Sequence, residues 1–352
     1  MDALVTMDSS TNKRVTYFSR LKALACLAVV ILHTFYAADA FATTVGQHML
    51  AISIRNLMMW SVPCFVMVTG ALLFDPKRNV TISKIFRKYL PRVVIALVFF
   101  SFAFAIFDAV LLKKPVADAF ATGFNAIVYG TGWKHMWYLY LIIGIYLVLP
   151  FYRMVTRSAT DIEIRYLVGV LFVFQAVIPV IQAVLNVTLP FYIPFFTIYP
   201  LFLMAGYAIH NDIIKIKMWI AIVFVVVGVA SVLGMTYLSV YKGNAVANTL
   251  VTAYSFPGIV FFSCGAFAIY KKCGEKPCKS DVLMTIIDKN SFGIYLMHMA
   301  VLKVFAIKVR PDIFGKPDWM AIEVVASFVI PFILMIIYSF IAKSVKKVVK
   351  AS

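Results

Sequence analysis

An all-α integral membrane protein is what the sequence predicts, and three observations carry that reading. Of 352 residues, 63% are hydrophobic and only 14% charged, far above the roughly 45–50% apolar content of an ordinary soluble domain. The mean hydropathy is +0.93. Apolar runs of about 20 residues, the length that crosses a ~30 Å hydrocarbon core, recur along almost the whole chain. They leave no room for a soluble domain, so the expected organisation is a cytoplasmic tail at 1–16, one membrane domain at 17–342 and a basic cytoplasmic tail at 343–352.

The pattern places about ten spans, at 17–38, 49–74, 89–111, 135–152, 166–186, 192–209, 218–240, 248–270, 286–307 and 319–342. The first is too long, and too well continued, for a cleaved signal peptide. It is read as a signal anchor. The sixth carries Pro190, Pro194 and Pro200, and a broken entry of this kind is tolerated where neighbouring helices or cavity water satisfy the freed backbone groups.

The net charge of +18 does not point to nucleic acid, because its distribution follows the spans. Of the 33 basic residues, 23 fall on the side that holds both termini and seven on the other, which puts both termini in the cytoplasm by the positive-inside rule. The remaining three, Arg55, Lys289 and Lys303, lie within spans. With Asp108, Arg55 and Lys303 are given no role. Cys26, Cys64 and Cys264 sit in spans, and Cys273 and Cys278 share a basic cytoplasmic loop. Free thiols are expected for all five, since the compartment is reducing and two thiols alone make a poor zinc site.

Polar residues at depth mark the candidate site. Lys22 and His33 lie 11 residues apart in "SRLKALACLAVVILHTF", which is within some 20° of three full helical turns and a rise of ~16 Å. They share one face, with the cation at the cytoplasmic boundary and the imidazole past mid-membrane. A lysine at a helix end also snorkels, and a lone histidine also serves as an interhelical hydrogen-bonding group. An ionisable residue at that depth is a functional candidate, and an imidazole suits proton transfer.

Three further stretches join it. In "NSFGIYLMH", Ser291, Tyr295 and His298 fall at i, i+4 and i+7, a single stripe that reads as a cavity lining or as helix-to-helix bonding. The run "SKIFRKYLPR" sets Lys84, Arg87, Lys88 and Arg92 before the third span, where they serve as an orientation signal, a contact for anionic membrane lipids or a phosphate site. In "GWKHMWYLY", Trp133, His135, Trp137, Tyr138 and Tyr140 form either an aromatic belt or, around His135, a sugar platform on the external side. In "SVPCFVMVTGALLF" the Thr69-Gly70 pair permits close helix approach.

Together these segments resemble the acyltransferase-3 family of integral membrane acyltransferases, in particular its surface-polysaccharide O-acetyltransferase branch. The family's R/K-x10-H is similar to Lys22 and His33, its SVPxFFMxSG to Ser61–Gly70, its HxW to His135 and Trp137, and its SxGIYxxH to Ser291–His298. The resemblance implies transfer of an acyl group, commonly acetyl from cytoplasmic acetyl-CoA, to a hydroxyl of a surface glycan or its lipid-linked precursor. It implies His33 as the catalytic residue and Lys22, Lys84, Arg87 and Lys88 as acyl-donor contacts. His135, Trp137, Ser291, Tyr295 and His298 would line the cavity or meet the acceptor.

The expected location is the plasma (bacterial inner) membrane, with acetyl-CoA as substrate, no permanently bound cofactor, no metal and no nucleic acid partner. The sequence leaves the oligomeric state open. Three departures stand out: Lys22 where many members carry Arg, Thr69 for the usual Ser, and Lys84-Ile-Phe-Arg87 for R-x-x-R. No esterase-like domain follows the tenth span, so the chain is expected to complete transfer alone or with a partner. A transporter or flippase for a small solute or lipid-linked sugar is the alternative class, disfavoured by the lack of inverted repeats.

Overall fold

The computed structural model describes residues 15–188, 197–274, 277–309 and 316–351, together with all but a few of their side chains. Lys13, Arg14 and most of the expected N-terminal tail lie outside the described residues, as do Pro190, Pro194, Lys276 and Arg310. The same holds for the side chains of Lys343, Lys346, Lys347 and Lys350 in the basic C-terminal tail.

The described chain is helical, with no strand among the described residues. In order run α1 (Thr16–Asp39), α2 (Val45–Leu57), α3 (Ser61–Leu73), α4 (Ile82–Lys84), α5 (Leu90–Leu111), α6 (Ala117–Tyr129), α7 (Trp137–Ser158), α8 (Asp161–Phe172) and α9 (Ile178–Leu185). After these come α10 (Tyr199–His210), α11 (Met218–Lys242), α12 (Ala245–Val251), α13 (Pro257–Cys273), α14 (Asp281–Val304) and α15 (Pro317–Ala351).

Among the described residues, eight helical stretches are long and apolar enough to cross a membrane. The sixth and eighth expected spans fall short of that length. The sixth is described only as the 12-residue α10, and the eighth is split into α12 and α13 by the turn before Pro257. A proline is tolerated in a helix's first turn, where its missing N–H would have no partner anyway, so Pro200 and Pro257 start helices and do not kink them.

Two details of the second and third spans set up the site. A 3₁₀ turn at Met58–Trp60 joins α2 to α3, where Ser61 Oγ donates to Met58 O at 2.7 Å. A π turn at Ile85–Tyr89 joins α4 to α5. Such wide turns shift side-chain register and occur often at functional sites.

The α3–α10 crossing is the packed centre. A Cβ on Gly70 would stand 2.0 Å from Leu203 O, and one on Gly206 would stand 2.1 Å from Met67 O, so two glycines let the backbones touch. Lipid supplies no hydrophobic force between helices, and small residues that permit this contact are what hold such a crossing. The Thr69-Gly70 packing expectation is met at Gly70. Nearly all of α10 is buried, whereas α11 and α15 expose many large apolar side chains, the pattern of lipid-facing helices.

α1 packs along α14 and against α2 and α3. Helix α6, 13 residues in a segment that the sequence leaves as a connection, folds back on α5 through Gly123 against Phe102 and ends at Gly130 with φ 65°. All five cysteines are free thiols.

Candidate active site

α1, α3, the π turn, α7 and α14 enclose a cavity of about 1330 Å³. A pocket for one small ligand measures roughly 300–1,000 Å³, so this one has room for more than one substrate. One end, the basic mouth, is lined by Lys77, Arg78, Lys84, Lys88, Arg92 and Lys289. The other, the aromatic mouth, is lined by Tyr36, Trp133, Lys134, Trp137 and Lys303. His33 and Lys22 line the wall between them, and no Asp or Glu is among the lining residues.

His33 Nδ1 lies 2.9 Å from Val29 O. A carbonyl only accepts, so Nδ1 carries the proton and the neutral ring keeps its lone pair on Nε2. Behind His33 stand two buried imidazoles, with ring centroids 4.9 Å away for His298 and 6.4 Å away for His135. Those two rings are 5.4 Å apart.

His298 Nδ1 donates to Tyr295 O at 2.6 Å and His135 Nε2 to Leu296 O at 3.2 Å. The remaining nitrogens, His298 Nε2 and His135 Nδ1, have no hydrogen-bond partner among the described residues. Each ring is thus held to the backbone through one nitrogen and keeps a lone pair on the other. Among the described residues no three His, Cys, Asp or Glu side chains are set to hold a metal ion.

Lys22 reaches the cavity wall, but its Nζ pairs with Asp288 Oδ1 at 2.5 Å, and Asp288 is 0% exposed. Ser19 Oγ donates to Asp288 Oδ2 at 3.0 Å. An ion pair taken out of water is retained only when further hydrogen bonds satisfy it, and Ser19 supplies one.

Of the third-span group, Lys84 and Lys88 line the cavity with Arg92. Arg87 is exposed and is not among the lining residues. The π turn is the reason: it changes the register after Lys84, so the pairing of Lys84 with Arg87 across one α-turn does not form on this wall. Lys84 Nζ also donates to Asn79 O at 2.9 Å.

Ser291, Tyr295 and Trp137 line the cavity, whereas His135 and His298 do not. Tyr295 donates its hydroxyl to His135 O, which ties α14 to the turn before α7. Trp133 is unavailable as a platform. One face stacks on Phe104 with centroids 4.1 Å apart and planes 3° apart, and Lys303 Nζ lies over the ring at 4.8 Å. Trp137 is 37% exposed, beside Tyr254 and Tyr199 at 5.9 and 6.1 Å.

Several residues without a sequence-level role belong to the site. Asp108 pairs with Lys303 at 2.6 Å and accepts from Trp133 Nε1 at 3.0 Å, and opposite charges in two apolar spans are a signal for such a pair. Asp288, a lone carboxylate in the ninth span that the sequence reading passed over, is the partner of Lys22.

The sequence signature that describes the acyltransferase domain of the acyltransferase-3 family matches residues 15–342. No curated protein and no solved structure matches the chain.

Proposed function

The chain belongs to the acyltransferase-3 family, and from that premise we propose that it moves an acetyl group from acetyl-CoA to a hydroxyl of a cell-surface glycan or its lipid-linked precursor. Membership favours acyl transfer over the transporter reading. The observation that carries the proposal is one cavity whose lining includes His33 together with a basic group and an aromatic group of side chains, so that donor and acceptor can meet at one imidazole.

In this reading the protein sits in the plasma (bacterial inner) membrane with the basic mouth and both termini in the cytoplasm. Lys84, Lys88 and their neighbours hold the nucleotide phosphates of acetyl-CoA, which cluster charge that cations bind well. The pantetheine arm brings the thioester to His33. The acceptor hydroxyl, resting on Trp137, gives its proton to His33 Nε2 as its oxygen attacks the acyl carbon. The new C–O bond forms, the C–S bond breaks, and the thiolate of coenzyme A leaves with the proton that His33 took up. Lys22, fixed and neutralised by Asp288, shapes the cavity wall near His33 and is not a flexible phosphate contact. Holding both substrates at once supplies much of the rate enhancement, because it converts a bimolecular step into a unimolecular one.

The test supplies labelled acetyl-CoA to inside-out vesicles that contain either the native protein or His33→Ala at matched abundance. Label should pass into lipid-linked or polymeric glycan with the native protein and fall by about a thousandfold or more without the imidazole. Near-normal transfer by His33→Ala would sink the assignment of His33. No transfer by either sample, with acceptor shown to be present, would sink the donor.

A further inference from the structure

The segment between α3 and α4 supplies Lys77, Arg78, Asn79 and Val80 to the wall of the basic mouth, yet it has no regular secondary structure to hold it there. What holds it comes from α7. Arg153 is 2% exposed, and its guanidinium does not face the cavity. Its Nη1 donates to Leu73 O at 2.5 Å and to Asp75 O at 2.9 Å, and its Nη2 donates to Arg78 O at 2.6 Å. Thr156, on the same helix, donates Oγ1 to Phe74 O at 2.8 Å.

Four carbonyls within six residues are therefore met by two side chains of one helix. A buried charge is costly unless its donors are satisfied, and here backbone carbonyls meet both Nη atoms, while Nε has no partner among the described residues. A planar fork reaches several acceptors at once, where a lysine ammonium acts as a point charge. The segment is fastened elsewhere as well: Asp75 Oδ1 accepts from Lys77 N at 2.9 Å, and Lys84 Nζ reaches Asn79 O from the helix that follows.

The geometry points to Arg153 as a positioning residue for the acyl donor. It fixes residues 74–80 so that Lys77 and Arg78 stand beside Lys84 and Lys88 as contacts for the phosphates of coenzyme A. This rests on the donor reading given above. Lys77 and Arg78 thereby join the donor site, and Arg153 of α7, off the cavity wall, controls donor affinity without touching the donor.

The experiment titrates purified full-length protein in lipid nanodiscs with coenzyme A and follows backbone hydrogen exchange by mass spectrometry. Arg153→Gln should weaken coenzyme A by about tenfold or more, the scale set by losing hydrogen bonds from a charged donor. It should also speed exchange in 74–80 while leaving α1 around His33 unchanged. Arg153→Lys should fall between it and the native protein. Thr156→Val should weaken coenzyme A by roughly threefold, in line with one neutral hydrogen bond, and it decides the matter if Arg153→Gln does not fold. Native affinity in both Arg153→Gln and Thr156→Val, or faster exchange throughout the chain, would overturn the proposal. If the native protein does not bind coenzyme A, the donor reading itself fails and the role of Arg153 falls with it.

Discussion

The two mouths of the cavity treat their cations differently. At the basic mouth Lys77, Lys84, Lys88 and Lys289 have no carboxylate within ion-pair distance among the described residues. At the aromatic mouth Lys303 is matched to Asp108 and covers Trp133, and Lys134 Nζ lies 3.2 Å from the Tyr36 hydroxyl. Uncompensated charge around a concave opening focuses the field and concentrates anions there, whereas a paired lysine contributes little at a distance. The difference separates an end suited to a polyanionic donor from one suited to a weakly charged sugar. Between them stands Lys22, which is basic but buried with Asp288 and so belongs to neither pattern.

The largest effect expected from that contrast concerns Lys22. Asp288→Ala leaves its ammonium buried without a partner and should destabilise the protein by about 3–5 kcal/mol, read as a fall in unfolding midpoint in detergent. Replacing both residues by leucine should restore most of the loss, because packed apolar side chains often match a buried pair. Native stability in Asp288→Ala would mean that Lys22 finds water through the basic mouth, and it would then join the open cations there.

Next comes the mouth itself. Lys84→Gln with Lys88→Gln should raise the Michaelis constant for acetyl-CoA by roughly thirtyfold, about 1 kcal/mol for each exposed charge, with kcat nearly kept. Added salt should weaken donor binding in the native protein more than in this double variant, because screening acts on the charges removed. Arg87→Gln should stay within about twofold of native, since its side chain is off the cavity wall. An Arg87→Gln defect equal to that of Lys88→Gln would show that the π turn has been assigned the wrong side of the helix.

Arg87 also marks where the sequence stopped being legible. Helical periodicity placed Lys22 and His33 on one face because α1 is an unbroken helix, and both do line the cavity. The same periodicity failed after Lys84, because nothing in "SKIFRKYLPR" announces a wider turn. Motif order located His135 and His298, but depth along a helix does not say which residue is in front, and both rings stand behind His33. Span lengths were readable from hydropathy where helices are continuous, as in α11, and less so where Pro257 begins a new helix after a turn. Arg153 read as one more positive-inside residue. Only the fold brings it against the carbonyls of 73–78.

The smallest effect belongs to the aromatic mouth. Trp137 is the half-open indole there, flanked by Tyr199 and Tyr254, and a sugar lying on it would gain stacking and area burial without a charge. Trp137→Ala should raise the Michaelis constant for the glycan acceptor by about fivefold to tenfold, the order of 1 kcal/mol for an aromatic contact. Trp137→Phe should keep most of the affinity, and the acetyl-CoA constant should not move in either variant. Salt should leave the acceptor constant unchanged, in contrast to the donor. A matching rise in the donor constant would mean that the two ends exchange ligands freely within one cavity, and the division of labour between the mouths would have to be abandoned.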